Sequence, residues 1–358
     1  MSAEVRAESP QSLLVVRLGA MGDVIHTMAA IAALRAALPG MKIGWAVEER
    51  WAELLSAGSE LRSGPRGAAR PLVDSVHILN TKRWRRALFA ADTRTQIAHA
   101  FRSIRTQKYA KAGDFQGAIK SALVARFSRA QEIVGMAHPR EAPARLLYGR
   151  QVNTTGEHVI EQYHSLAEAI AGRPLPISSC EFPHDPDAEA AVGAKVGAHE
   201  KIVVLNPGVG WAAKQWPAER YGEVAKRLAS DGMFPVINFG PGEEHLAHAA
   251  EAASAGSATA ISFSLSELIA LTRRARLFIG GDTGPMHLAA ALKVPVLALF
   301  GPTDPARNGP YGTKSIVLRN PESNTSLSHT SKSDPGLLKL TVDQVTRAAR
   351  QLLEETNA

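Results

Sequence analysis

At 358 residues the chain exceeds the size at which one hydrophobic core usually stops growing, so two domains are expected. With 45% hydrophobic and 21% charged residues it has the composition of an ordinary globular protein, and no apolar run approaches the roughly 20 residues that span a bilayer, which excludes a transmembrane helix. One cysteine, Cys180, excludes an intramolecular disulfide framework and any CxxC motif; the 12 histidines form no HExxH pattern, and the pair His245 and His248 reads as a solvated helix face, so no metal site is expected.

The N-terminal stretch MSAEVRAESPQ is polar and lacks the charged start, apolar core and small-residue cleavage site of a signal peptide, so a cytoplasmic chain is expected. Leu13 to Val16 then reads as a strand, followed by a glycine-containing turn and a helix on which Val24, Met28, Ile31, Leu34 and Leu38 recur at helical spacing. Further strands are predicted at Lys42 to Val47, Val76 to Leu79, Tyr109 to Gly113 and Glu132 to Val134, with helices at Arg94 to Thr106, Ala118 to Phe127 and His158 to Ala171. Ser56 to Arg70, rich in Gly, Ser and Arg, reads as a surface loop. Between Lys82 and Lys108 lie eight basic residues (Lys82, Arg83, Arg85, Arg86, Arg94, Arg102, Arg105, Lys108) against the single acid Asp92, so this window carries a charge equal to the whole chain's +7. A solvated helix face, an anionic ligand, an anionic membrane surface and nucleic acid all fit such a window, although no recognised nucleic-acid module accompanies it.

Four prolines between Gly172 and Asp187 (Pro174, Pro176, Pro183, Pro186) break the periodicity, and the α/β rhythm restarts at Lys201 to Leu205. Strands follow at Phe234 to Phe239, Thr259 to Ser262, Leu277 to Ile279 and Val296 to Phe300, and Leu340 to Leu353 closes the chain as an amphipathic helix. The expected organisation is an α/β pair of doubly wound Rossmann-like domains facing across a ligand cleft, residues 1–177 and 178–335, with a C-terminal helix over 336–358.

Three turns carry chemistry. Arg17-Leu18-Gly19-Ala20-Met21-Gly22-Asp23 follows strand one; its GxxG spacing departs from GxGxxG, which argues against a nicotinamide cofactor even though Glu48 stands where a ribose-binding acid would. Asp23 can be explained as an N-terminal helix residue favoured by the dipole. Asn206 to Pro217 places glycines and then Lys214 at a strand-to-helix turn, suited to phosphate oxygens without the GxxxxGK[ST] of a P-loop. In Gly280-Gly281-Asp282-Thr283-Gly284-Pro285-Met286-His287, capping explains Asp282 or Thr283 singly, but not a second glycine and a histidine one turn into the helix.

On these residues the chain resembles the lipopolysaccharide heptosyltransferase family: in VRLGAMGDVIHTMAAIAALR, VEERWAELL, DFQGAIKSALVARF, KQWPAERY, GGDTGPMHLAAAL and LFGPTDP, in the family's order. RWRR, KSALVARF and the absence of a cysteine-rich loop resemble the members acting first, on the Kdo sugar, more than those acting second. The resemblance implies a GT-B fold, an ADP-heptose donor bound mainly by the second domain, a Kdo-lipid A acceptor, no cofactor, and inverting transfer of L-glycero-D-manno-heptose without a metal. It also implies a place on the anionic cytoplasmic face of the inner membrane and no nucleic-acid partner. By the same resemblance Asp23 is the catalytic base, Lys214 the donor-phosphate lysine, Glu243 (or Glu244) the ribose acid, and Asp282, Thr283, Gly284 and His287 the diphosphate and sugar loop. Acceptor contacts carry over to Arg83, Arg86, Lys120, Arg126 and Arg140. Val209 and Gly210 depart from the resembled motif, which has two threonines before the lysine. The competing readings are a second-step heptosyltransferase or related nucleotide-sugar enzyme with another acceptor, and a non-catalytic nucleotide-sugar-binding protein.

Overall fold

The computed structural model describes residues 12–58, 62–87, 89–326 and 332–357. The stretch read as free of a signal peptide, residues 1–11, lies outside the described residues, as do residues 59–61 of the expected loop.

Short β-branched and aliphatic runs, too apolar to leave either face in water, pair in parallel as the centres of two sheets. In the first, β1 (Ser12–Val16), β2 (Lys42–Glu48), β3 (Ser75–Leu79), β4 (Lys111–Asp114), β5 (Glu132–Met136) and β6 (Arg150–Val152) lie in the order β3-β2-β1-β4-β5-β6. In the second, β7 (Ile202–Asn206), β8 (Phe234–Phe239), β9 (Thr259–Ser262), β10 (Ala275–Gly281), β11 (Val296–Phe300) and β12 (Ser315–Arg319) lie in the order β12-β11-β10-β7-β8-β9. Counted within its own sheet, each is the doubly wound order 3-2-1-4-5-6. The direction of winding therefore reverses at β1/β4 in one sheet and at β7/β10 in the other, and ligands of such sheets gather at the carboxyl ends of those strands.

Two strands, β6 and β12, go beyond the sequence expectation. Both are edge strands of mixed or half-exposed character, RQV and SIVLR, so neither shows the buried apolar run that marked the inner strands. The loop after the 3-10 turn Glu49–Leu54 is exposed over residues 63–68, but buried Arg70 ties it down, donating to the carbonyls of Gly64, Pro65 and Val73.

The chain divides into two compact units: one runs up to Gly156 and resumes over Ile160–His184, the other takes Glu157–Val159 and continues from Asp185. In the first, Leu14, Val16 and Ala112 pack under Ile104, Ala122 and Tyr148. In the second, separate clusters cover the two faces of the sheet. One is built on Val203, Leu205, Tyr221 and Leu352, the other on Val204, Phe278, Met286 and Phe300. The helix Val342–Asn357 belongs to the first of these clusters through Val345, Ala349 and Leu352. Among the described residues no helix is long and apolar enough to cross a membrane.

Candidate active site

At the β1/β4 reversal the chain leaves β1 through Arg17 and enters the helix Met21–Ala37 with Asp23 in its first turn. Ala20, the N-cap residue, has no side-chain oxygen to offer the helix; instead the Asp23 carboxylate reaches back and accepts from the Ala20 N–H at 3.2 Å. The same oxygen, Oδ2, lies 2.6 Å from Arg17 Nη2. Arg17 is 4% exposed and donates through Nη1 to the Phe115 carbonyl at 2.6 Å, with the Tyr163 ring 5.3 Å away. Burial alone lowers a guanidinium's pKa, but Tyr163, Asp23 and Asp114 more than offset it, and Arg17 is held above its ordinary value. Asp23 is thus a half-open carboxylate fixed by a permanently charged neighbour. Gly19 is needed for space, because a Cβ there would meet the Trp51 indole at 2.7 Å.

Across the reversal, Asp114 ends β4 fully buried and accepts from Gln116 N, Gly117 N, Ser121 Oγ and Tyr148 OH at 2.8–3.2 Å. Burial raises its carboxyl above the usual range against those four donors. Gln116 in turn accepts from Leu18 N at 2.9 Å, which ties the β1 turn to the β4 turn. Sequence reasoning missed Arg17, Asp114, Gln116 and Tyr148 as parts of this site. Arg17, Asp114 and Gln116 stood inside quoted segments and Tyr148 did not, but Asp114, Gln116 and Tyr148 join the β1 turn only through long-range pairing. Glu48, placed where a ribose acid would be in a nicotinamide fold, is buried and takes the Thr81 hydroxyl.

At the β7/β10 reversal, Lys214 ends the 3-10 turn Ala212–Lys214 and puts Nζ 2.5 Å from Asp282 Oδ2, with the Trp211 ring 5.2 Å away. His287 Nε2 lies 3.2 Å from the other carboxylate oxygen, Oδ1. Burial favours the neutral acid, yet the hydrogen bond and charge of His287 and the ammonium of Lys214 hold Asp282 far below the ordinary carboxylate range. Neither residue expected as a possible cap acts as one: Asp282 is spent on Lys214 and His287, and Thr283 Oγ1 donates to Gly281 O at 3.3 Å. The helix Gly284–Ala291, with Pro285 in its first turn, therefore opens without a side-chain cap, a ready seat for an anion.

The turn after β7 is set by buried amides: Asn238 donates to Asn206 Oδ1 at 2.6 Å, and Asn206 donates to Gly208 O at 2.9 Å. Glu243 accepts from Gly240 N at 2.9 Å and lies so close to Gly208 that a Cβ there would fall 2.0 Å from Oε2. Glu244 is exposed and accepts from Gly242 N at 3.2 Å, so of the two acids Glu243 stands beside the β7 turn. Val209, which replaces a threonine of the resembled motif, offers its methyl instead, within 3.3 Å of a Cβ built on Gly281.

The five basic residues expected at an acceptor are all exposed. Arg83 and Arg86 lie on the short helix Thr81–Arg86 after β3. Arg140 packs its backbone against Gly117, at the carboxyl end of β4, and Lys120 begins the helix Ile119–Phe127 there. Arg126 ends that helix, about 9 Å further along its axis at 1.5 Å per residue. The structure thus brings Lys120 and Arg140 to one sheet end and leaves Arg126 at the far end of the helix.

A carboxylate at one helix start, and a lysine, a histidine and free N–H groups at another, are the parts of a group-transfer enzyme acting on phosphorylated donors. Comparison with known proteins agrees. The model of glycosyltransferase family 9 (heptosyltransferase) matches residues 97–336. Lipopolysaccharide heptosyltransferase 1 of Pseudomonas aeruginosa PAO1 is 30% identical over 310 residues, 86% of this chain and 83% of that protein. The structure of E. coli heptosyltransferase WaaC with ADP is 26% identical and superposes with a TM-score of 0.76, covering 97% of this chain and 100% of that one. WaaC with ADP-2-deoxy-2-fluoro heptose gives 0.75 over the same shares and at the same identity. With two Rossmann-like units and these relatives, the chain has the GT-B fold and belongs to glycosyltransferase family 9, the heptosyltransferases.

Proposed function

We propose that the chain transfers L-glycero-D-manno-heptose from ADP-heptose to the Kdo sugar of a lipid-linked inner-core acceptor, as the first heptosyltransferase of lipopolysaccharide assembly. The observation that carries this is the division of chemistry between the two reversals: one arginine-steadied carboxylate at β1/β4, one lysine–aspartate–histidine cluster beside an uncapped helix at β7/β10. The relatives named heptosyltransferase 1, and the solved relatives holding ADP and an ADP-heptose analogue, support the donor and the step.

Asp23 takes the proton of the acceptor hydroxyl through Oδ1, Oδ2 being engaged by Arg17 and Ala20. Hydrolysis of a glycoside needs a second carboxyl to protonate a poor leaving group. A nucleotide diphosphate leaves as a stable anion, so a single base suffices when cations and amides meet the charge that develops. Lys214, His287 and the N–H groups at Thr283 and Gly284 do this, with Asp282 orienting Lys214 and His287. Glu243 receives the ribose hydroxyls. Arg83, Arg86, Lys120 and Arg140 face the phosphates and carboxylates of the acceptor, and the Lys82 to Lys108 window draws the protein to the anionic cytoplasmic face of the inner membrane. Arg126 sits away from that acceptor edge, and its part in acceptor binding is the least direct.

The test is turnover of ADP-heptose with Kdo-lipid A, scored against a heptose-bearing acceptor. Transfer only to the latter makes this a second-step enzyme; binding of ADP-heptose without transfer to either makes it a non-catalytic binder. The Glu243 role has its own check. Gly208→Ala places a methyl against the Glu243 carboxylate and forces it off the turn. Calorimetry should then show ADP affinity lowered about tenfold, the loss of roughly one hydrogen-bonding group. Wild-type affinity in that variant removes Glu243 from the site.

A further inference from the structure

Helix Ile119–Phe127 buries Ser121, Ala122, Val124 and Ala125, yet its three largest apolar side chains point outward: Ile119, Leu123 and Phe127 are 41%, 38% and 48% exposed. They recur every four residues, which puts them on one stripe of the helix. Leu146, 80% exposed, stands on the 3-10 turn Ala142–Leu147, which packs against this helix. Exposed cations border it. Lys120 and Arg126 come from the helix itself and Arg145 from the 3-10 turn, while Arg105 of the neighbouring helix Ala91–Thr106 donates to the Phe127 carbonyl at 2.9 Å. Glu141, at the start of the 3-10 turn, accepts from Ile119 N at 2.8 Å.

We infer that this face docks onto an anionic lipid bilayer, with Leu123, Phe127 and Leu146 entering the headgroup and acyl boundary while the cations meet lipid phosphates. The argument is charge complementarity combined with the apolar stripe. A second copy of the chain, related by a two-fold axis, would bring the same cations against one another, and like charges across an interface oppose association. Nucleic acid would satisfy the arginines but leave Leu146 and Phe127 in water. A bilayer rich in acidic lipid satisfies both, as interfacial helices with basic and apolar faces do. This deepens the reading of a lipid-linked acceptor and rests on it for the identity of that acceptor; vesicle binding itself is measured without any transfer reaction.

The experiment is vesicle sedimentation of the full chain on phosphatidylglycerol–phosphatidylcholine and on pure phosphatidylcholine vesicles, wild type against the triple variant Leu123→Gln, Phe127→Gln, Leu146→Gln. Wild type should partition onto the acidic vesicles, and the variant should partition roughly tenfold or more weakly at the same salt, because three inserted apolar groups are lost. ADP affinity and transfer to a water-soluble, delipidated acceptor should match wild type, while the melting temperature should fall only by the small amount set by losing the Phe127 ring against Phe101. The inference is overturned if wild type ignores acidic vesicles or if the variant partitions like wild type. It is also overturned if the variant turns a wild-type dimer into a monomer in analytical ultracentrifugation with vesicle binding unaltered. Failure of wild-type transfer to the delipidated acceptor would strike the function reading alone and leave the vesicle result standing.

Discussion

Asp23→Asn is expected to lower kcat by about 10² to 10⁴, the contribution of a positioned general base, while the ADP-heptose Kd stays close to wild type. The split follows from the layout: the carboxylate belongs to the β1/β4 turn, and every group proposed to hold the donor belongs to the second unit. From sequence alone, asparagine would be expected to preserve the fold, since it serves a helix start as well as aspartate does. The ion pair with buried Arg17 changes that expectation. Asparagine still accepts from Ala20 N but leaves the guanidinium without its carboxylate, at a cost near 1 kcal/mol because the Asp23 side chain is 35% exposed. For units of this size that corresponds to a fall in Tm of roughly 2–4 °C. Turnover, donor affinity and melting should be read on one preparation. Wild-type turnover removes Asp23 from the chemistry; a joint collapse of all three makes it a structural partner of Arg17.

Lys214→Ala should raise the Kd for ADP by roughly ten- to 150-fold, the equivalent of about 1.5–3 kcal/mol for a hydrogen bond to a charged group. Unchanged calorimetric affinity would take Lys214 out of the site. The variant also has a pH signature. Asp282 has a folded-state pKa depressed by His287 and Lys214, so its stabilising contribution is present above the unfolded-state pKa of about 4 and is lost as pH falls towards the folded value. The melting deficit of Lys214→Ala should accordingly be constant from about pH 8 to pH 5 and shrink only below about pH 4. A deficit that changes near neutral pH would mean that the pairing seen at Asp282 is not what Lys214 contributes to stability.

Much of the fold was legible because most inner strands carry a short, largely apolar run, and the motif residues lie in the turns and first helical turns that follow those strands. Asp23, Lys214, Asp282 and His287 could be singled out for that reason. What one sequence does not display is pairing at a distance. Arg17 and Asp23 are six residues apart, but the Phe115 carbonyl that fixes Arg17 comes from the residue just after β4, 98 residues on. Asp114 and Tyr148 are 34 residues apart and meet only when β4, β5 and the 3-10 turn have packed. The edge strands β6 and β12 escaped because an edge strand half open to water carries no continuous apolar run. The Glu243 and Glu244 ambiguity is likewise one of direction: adjacent residues at a helix start point apart, and only the backbone path after β8 decides which meets Gly208.

The contact between Lys214 and Asp282 also sets a threshold for what can bind there. Because the ammonium already has a carboxylate at 2.5 Å, any anion arriving there enters an exchange and gains only the difference between its own attraction and that of Asp282. Inorganic phosphate or sulfate, touching Nζ alone, gains little from the swap. A diphosphate that at the same time reaches the N–H groups at the start of helix Gly284–Ala291 gains from contacts Asp282 does not compete for. Discrimination among anions then depends on how many places a ligand grips at once, and a resident counter-ion turns a sticky cation into a selective one.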